Sequence, residues 1–344
     1  MAAHRWDPVC PTPRGLVRPV PLDPAGEDGP TKRQASGPHW RRTSQGLYVP
    51  ASVSDQLPEQ RILEQSVRLP RGGAVTGWAA CRLWGGSFFD GLGRDGTTRL
   101  PVPLALGAGN IRGDRQVRLV REPLTSEEVM RRYGIPCCAV ERAVFDAVRL
   151  APDDREAVVV LDMAAAAVLT SVTRMRVYVG AHPRRRRIAR ARLALALASE
   201  HSRSPNETRL RLVWVLDAGL PADVLVNCPV HDKWGRLLGI ADLLDPVAGL
   251  AVEFDGADHR GAGRHTRDVA KDEAFRDSGL EVARVTGLDL ADRPHVVRRL
   301  LAAHARATSR PRGTWEARPP ASTLDTLLDE RDGRDRVHQE LNAL

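Results

Sequence analysis

Two short apolar runs, each carrying a carboxylate, constrain this chain more than any other feature. Residues 239–244 read GIADLL and residues 250–254 read LAVEF, continuing to Asp255, with Asp245–Gly249 (DPVAG) between them. Apolar runs of this length, parted by a break containing Pro and Gly, read as two strands joined by a hairpin loop. Both are apolar enough for the centre of a sheet, where a charge is costly unless it is paired or bound to metal. Glu253 and Asp255 are two residues apart, so an extended chain projects them from one face. If Leu244 pairs with Ala251, Asp242 falls opposite Glu253 on that face. Three carboxylates then converge, an all-oxygen donor set that suits Mg²⁺ or Mn²⁺ better than zinc. The plainer alternative makes Asp242 an edge-strand residue facing solvent, with Glu253 and Asp255 ending a strand that turns at Gly256.

The surrounding pattern supplies further candidates. A helix is predicted over Ser204–Leu216, a strand over Ala222–Pro229, and then the two runs above. A helix over Arg267–Ser278, a strand over Glu281–Val285 and a helix over Arg293–Ala305 follow. That order predicts a layered α/β domain over residues 200–305. Ser204-Pro205-Asn206-Glu207 fits a capping box with Pro at the first helical position, which by itself accounts for Glu207. A helix start beside the strands would also bring Glu207 to a metal. His259 lies in a polar loop four residues after Asp255, either solvated or poised to transfer a proton or touch phosphate. Arg267 and Lys271, on the following helix, either balance phosphate charge or occupy an exposed face.

A chain of 344 residues exceeds the usual size of one core. Residues 1–38, rich in Pro, Gly and charge, predict a disordered arm. WRRTSQGLYVP at 40–50 predicts strand, turn at Ser44–Gly46, and strand. Helices are predicted after Pro58, over Thr76–Trp84 with a glycine stop, over Val140–Leu150 and over Asp154–Val172, with irregular strands at 98–122. The arginines from Arg184 to Arg192 lead into one more helix. Residues 39–199 thus read as a mostly helical α+β region. The stretch 306–344 reads as a charged tail with a short amphipathic helix near Leu324, Leu327 and Leu328.

The net charge of +8 favours a polyanionic partner, most commonly nucleic acid, although only Lys32, Lys233 and Lys271 are lysines and arginine-rich coding contributes. The five cysteines show no C-x-x-C spacing, so neither a zinc site nor a disulfide framework is predicted. No apolar run has membrane-spanning length, and Met1–Pro13 lacks a signal-peptide core. The expectation is a cytoplasmic protein without membrane contact or a small-molecule cofactor.

SPNETRLRL at 204–212, GLP at 219–221, GIADLLDP, LAVEFDGADHR and the 268–279 helix followed by EVARVTGLDL resemble an actinobacterial family. Its members carry an endonuclease-like domain similar to very-short-patch-repair nucleases, in the restriction-endonuclease-like PD-(D/E)XK superfamily. The resemblance implies a mixed sheet flanked by helices and metal-dependent phosphodiester cleavage. By motif, Asp242 is the motif aspartate, Glu253 the second acid and Glu207 the helix acid, all three metal-binding. Asp255 stands where the superfamily has lysine, so the cationic role either passes to Lys271 or His259 or is absent. Upstream, RRTSQGLYVPA, GAVTGWAACRLWG and GIPCCAVERAVFDAVRL loosely resemble AbiEi-type antitoxins, with a wing-like remnant at the start. The expected function is a Mg²⁺- or Mn²⁺-dependent endonuclease acting on DNA. The alternatives are a non-catalytic DNA-binding regulator on an inactive nuclease fold, and an interaction scaffold without nucleic acid.

Overall fold

Every strand and helix expected between residues 204 and 305 is present in the structure, a computed structural model. It describes residues 15–255, 262–311, 313–319 and 323–342, with the side chains of 262–268 and of 335–342 left aside. The chain is mixed α/β and divides into two units, one of residues 1–152 with 174–192, the other of 153–173 with 193–344. Among the described residues no helix is long and apolar enough to cross a membrane.

The first unit opens with β1 (Val20–Pro21), α1 (Lys32–Ala35) and the hairpin β2 (Trp40–Ser44) and β3 (Leu47–Pro50), in one antiparallel sheet ordered β1-β3-β2. After α2 (Pro58–Ser66) come β4 (Ala74–Val75), α3 (Gly77–Leu83), β5 (Val102–Ala105), β6 (Val117–Val120), β7 (Val129–Arg132), β8 (Ile135–Cys138) and α4 (Val140–Leu150). Their strands form a mixed sheet ordered β6-β5-β4-β8-β7. The expected disordered arm is therefore folded from residue 15 onward, and residues 1–14 lie outside the described residues. Local polar bonds order it. Asp23 accepts from the amides of Ala25, Glu27 and Asp28, Thr31 and Gln34 form a capping box, and Gln60 bonds both backbone groups of Val17. A pattern search for apolar periodicity misses bonds of this kind.

Helix α5 (Asp154–Ala166) stops short of the expected Val172. Val168 takes a left-handed φ of 53°, and the amides of Val168 and Leu169 bond back to Ala165 and Ala164. This is a Schellman stop with a β-branched residue where glycine is usual, so no stop was visible in the sequence. Helices α6 (Val172–Ala181) and α7 (Ile188–Leu197) follow.

The second unit continues with α8 (Pro205–Leu212), β9 (Leu225–Asp232), β10 (Leu237–Asp245), β11 (Leu250–Asp255), α9 (Ala262–Asp277), β12 (Glu281–Thr286), α10 (Arg293–Thr308), β13 (Trp315–Ala317) and α11 (Leu324–Asn342). It also includes α5, which the expected boundary at residue 200 left out. Fully buried Asp162 on α5 accepts from Ser199, Ser202, Thr208 and Arg211, and Glu156 pairs with Arg209 at 2.8 Å. These bonds tie α5 to α8. The predicted tail is also partly built in, since β13 pairs with β9 at the sheet edge and Leu328 of α11 is buried.

The sheet of this unit runs β12-β11-β10-β9-β13, parallel only between β11 and β12. Leu244 does pair with Ala251. One apolar cluster gathers Leu210, Trp214, Leu243, Val252, Val285 and Leu300, so α8 and α10 cover it. The other gathers Ala241, Leu244, Ala251 and Phe275 beneath α9. Residues two apart on a strand normally share a face. Here Val226 and Cys228 fall in different clusters, as do Ala241 and Leu243. The alternation slips at the pair between them, Asn227 and Asp242.

Candidate carboxylate–lysine site

Strand β10 pairs with β11 from Asp245 up to Leu243 opposite Val252. One step further the register sets Asp242 across from Glu253, as the sequence suggested. There the side chain takes over from the ladder, and Phe254 N–H donates to Asp242 Oδ2 at 2.7 Å. Asp242 is half-buried, whereas Glu253 is only 5% exposed.

The cation arrives from α9. Lys271 Nζ contacts Glu253 Oε2 and donates to the carbonyl of Ile240 at 3.3 Å. Its stem crosses β10 directly over Gly239, where a Cβ would come within 2.5 Å of Lys271 Cγ and 2.7 Å of Cδ. Glycine at 239 is thus what lets the lysine lie flat and reach the acid. The ammonium beside Glu253 comes from a helix and not from the strand.

Lys271 acts on both acids and Arg203 on Asp242 as well, yet burial outweighs them. Burial pushes the Glu253 carboxyl up to about 8, and the Asp242 charge adds to this while Lys271 pulls the other way. Asp242 is pushed up to about 6, again chiefly by burial, with the Phe254 amide opposing and the Glu207 charge reinforcing. Glu253 Oε1 is buried and has no hydrogen-bond partner among the described residues. A half-satisfied buried acid calls for an explanation.

Glu207 lies at the start of α8 and plays the capping part without losing touch with the site. Ser204 Oγ accepts its amide at 3.2 Å, while its own Oε2 accepts from Arg203 N at 2.8 Å and from Asn227 Nδ2 at 2.7 Å. The return bond goes one residue earlier than a standard capping box would place it. Asp255 is exposed at the end of β11, opposite Thr286, so the expected trio of Asp242, Glu253 and Asp255 does not close around one point. Among the described residues no group of three or more His, Cys, Asp or Glu side chains is arranged to hold a metal ion. His259 lies outside the described residues.

Three contributors escaped the sequence reading. Asn227 has a left-handed φ of 48° in the middle of β9, and its amide joins Glu207 to the carbonyl of His201. An Asn inside the apolar run LVNCPV is the signal that could have marked it, since strands disfavour Asn and left-handed backbone favours it. Arg284 on β12 pairs in register with Glu253, and its Nε donates to Asp272 Oδ2 at 2.8 Å. Asp272, buried on α9, keeps Oδ1 without a partner among the described residues, and its charge helps to raise Glu253. Neither residue stands out in sequence, because charged residues on a helix and near a strand end are ordinary. Comparison with protein-family models, with curated proteins and with solved structures gives no match, so the functional reading rests on this geometry.

Proposed function

We propose that the second unit is a metal-dependent endonuclease on a restriction-endonuclease-like sheet, hydrolysing phosphodiester bonds in DNA. The observation that carries this reading is the facing pair Asp242 and Glu253, with raised carboxyls, an unpartnered buried oxygen and one shared lysine. Mg²⁺ does not require a cage of three side chains. It is commonly held by one or two carboxylates and fills its other positions with water and substrate phosphate oxygens. The all-oxygen pair and the open valence on Glu253 Oε1 fit Mg²⁺ or Mn²⁺ in that manner.

When bound, such an ion supplies Lewis-acid polarisation of a phosphoryl oxygen and a more acidic water. Asp242 and Glu253 would hold it, with Glu207 adding negative charge beside Asp242. Asn227 and the Phe254 amide fix the orientations of Glu207 and Asp242. Lys271 would offset charge on the reacting phosphate, a role in which a preplaced cation is effective away from bulk water. The net reaction adds water across the P–O3′ bond, leaving a 5′-phosphate and a 3′-hydroxyl.

Incubation of supercoiled plasmid with the full chain and Mg²⁺ or Mn²⁺ tests this. Cutting is expected, and is expected to vanish with EDTA and in Asp242→Ala, where loss of metal-dependent stabilisation worth several kcal/mol lowers the rate about 1000-fold or more. Cleavage by Asp242→Ala at the wild-type rate would sink the proposal. Absence of cutting, with salt-dependent binding that ignores Asp242, would replace it by a non-catalytic regulator.

A further inference from the structure

The first unit carries a feature that the proposed chemistry does not use. Two concavities, of about 440 Å³ and 580 Å³, adjoin where they share Arg115 and Gln116. The first is walled by Arg41, Arg61, Arg99 and Arg115, from β2, α2 and the loops flanking β5. The second is walled by Arg42, Arg68, Arg112 and Arg115 and runs along the β2–β3 turn. Seven arginines thus meet three acids, and each acid is already taken. Asp55 pairs with Arg99 at 2.8 Å, Glu64 with Arg41 at 2.6 Å and Asp114 with Arg68 at 2.9 Å.

Arg42, Arg61, Arg112 and Arg115 make no ion pair among the described residues. Arg61 is held by the carbonyls of Gly91 and Leu100 and lies over the Trp78 ring at 5.4 Å. Burial and the neighbouring Arg99 charge push its pKa below the ordinary value, against the opposing pull of Asp55, Asp90 and Glu64. A second kind of observation agrees. Ser44, in the lining of the second concavity, is 7% exposed and its Oγ lacks a hydrogen-bond partner among the described residues.

We infer that these joined concavities form a groove that holds the phosphodiester backbone of a nucleic acid. Coding bias scatters arginines over exposed faces, whereas here they gather in two connected hollows. A single phosphate would engage only part of one of them, and a bilayer would meet a flat or convex face. A linear chain of regularly spaced phosphates engages both, and arginine forks match phosphate oxygens two at a time. This site holds under either reading of the second unit, because it needs neither metal nor Asp242.

Fluorescence anisotropy of a labelled DNA duplex with the full chain in EDTA, over a salt series, tests it. The triple variant R42Q/R112Q/R115Q removes three exposed arginines. It is expected to bind about tenfold or more weakly at low salt, with a log–log salt slope shallower by about 3. The control R71Q/R94Q/R118Q loses the same charge outside the groove and should bind within about twofold of wild type. Equal weakening in both variants, or in neither, overturns the groove. So does displacement of the duplex by polyglutamate at equal charge concentration. The groove is read as binding in EDTA and the proposed hydrolysis as cutting with Mg²⁺, so a failed nuclease reading and a failed groove give different results.

Discussion

Asp146 in the first unit and Glu253 in the second are both buried acids facing basic side chains, yet the two differ in how fully their own oxygens are satisfied. Asp146 is fully buried, and both its oxygens are taken. Thr76 donates to Oδ2 at 2.6 Å and Arg142 at 3.0 Å, while Arg149 donates to Oδ1 at 2.6 Å. Arg142 reaches on to Glu128 and Arg149 to Glu122, so charge is matched around the acid. Glu253 touches one cation, Lys271, whose charge also acts on Asp242, and it keeps one oxygen with no partner among the described residues. A saturated buried acid holds elements together. An unsaturated pair with raised carboxyls stores affinity for a proton or a cation, which is what the proposed chemistry requires.

The largest test of this contrast is on stability. Asp146→Asn removes the charge shared by Arg142 and Arg149, leaving Glu128 as the one acid paired with fully buried Arg142, and is expected to cost about 3–5 kcal/mol in urea unfolding. Glu253→Gln should behave oppositely. With the carboxyl raised to about 8 from an ordinary 4.5, the folded state holds this proton more tightly than the unfolded chain does. Stability is then unaffected below the ordinary value and declines as pH climbs through the window to 8. Asp242, raised to about 6, adds to the lower part of that decline. Wild-type stability should therefore fall from pH 5 to pH 8 by on the order of a few kcal/mol. Glu253→Gln should flatten the curve and match or exceed wild type at pH 8. A loss equal to that of Asp146→Asn would erase the distinction.

Lys271→Met sharpens the comparison from the cationic side. If the protein cuts DNA, removing one preplaced charge should lower cleavage about 100-fold. It also removes the group that holds Glu253 down, so the acid limb of the pH–rate profile should move to higher pH. A purely structural lysine would lower activity without moving that limb.

How much of this was legible beforehand follows from where each signal sits along the chain. The hairpin register and the facing of Asp242 and Glu253 could be read because apolar runs and a Pro/Gly break are local. The role of Lys271 could only be named as a candidate, since its approach depends on how α9 packs on β10. Asn227 acts through backbone shape, and Arg284 reaches the site only through a parallel pairing that the linear sequence does not encode locally. The folded stretch after residue 15 and the added strand β13 were missed for a similar reason: polar bonds and an edge pairing hold them, not periodicity.

Gly239 offers the smallest and most specific test. Its backbone is not left-handed, so alanine suits the conformation and the consequence of Gly239→Ala lies in space alone. The added Cβ would stand 2.5 Å from Lys271 Cγ and 3.2 Å from Cζ of buried Phe275, so the lysine stem must swing away and the ring must give slightly. The ammonium then leaves Glu253 Oε2 and Ile240 O while both acids stay in register. If the proposed hydrolysis occurs, its rate should fall about tenfold, less than on removing the charge outright, with a folding cost below that of Asp146→Asn. The decisive measurement is the double variant. If glycine acts only by seating the lysine, Gly239→Ala should cost nothing further once Lys271 is Met, a coupling equal to the whole single-variant effect. Additive losses would mean that Gly239 serves the sheet and not the site, and Lys271 would then owe its position to α9 alone.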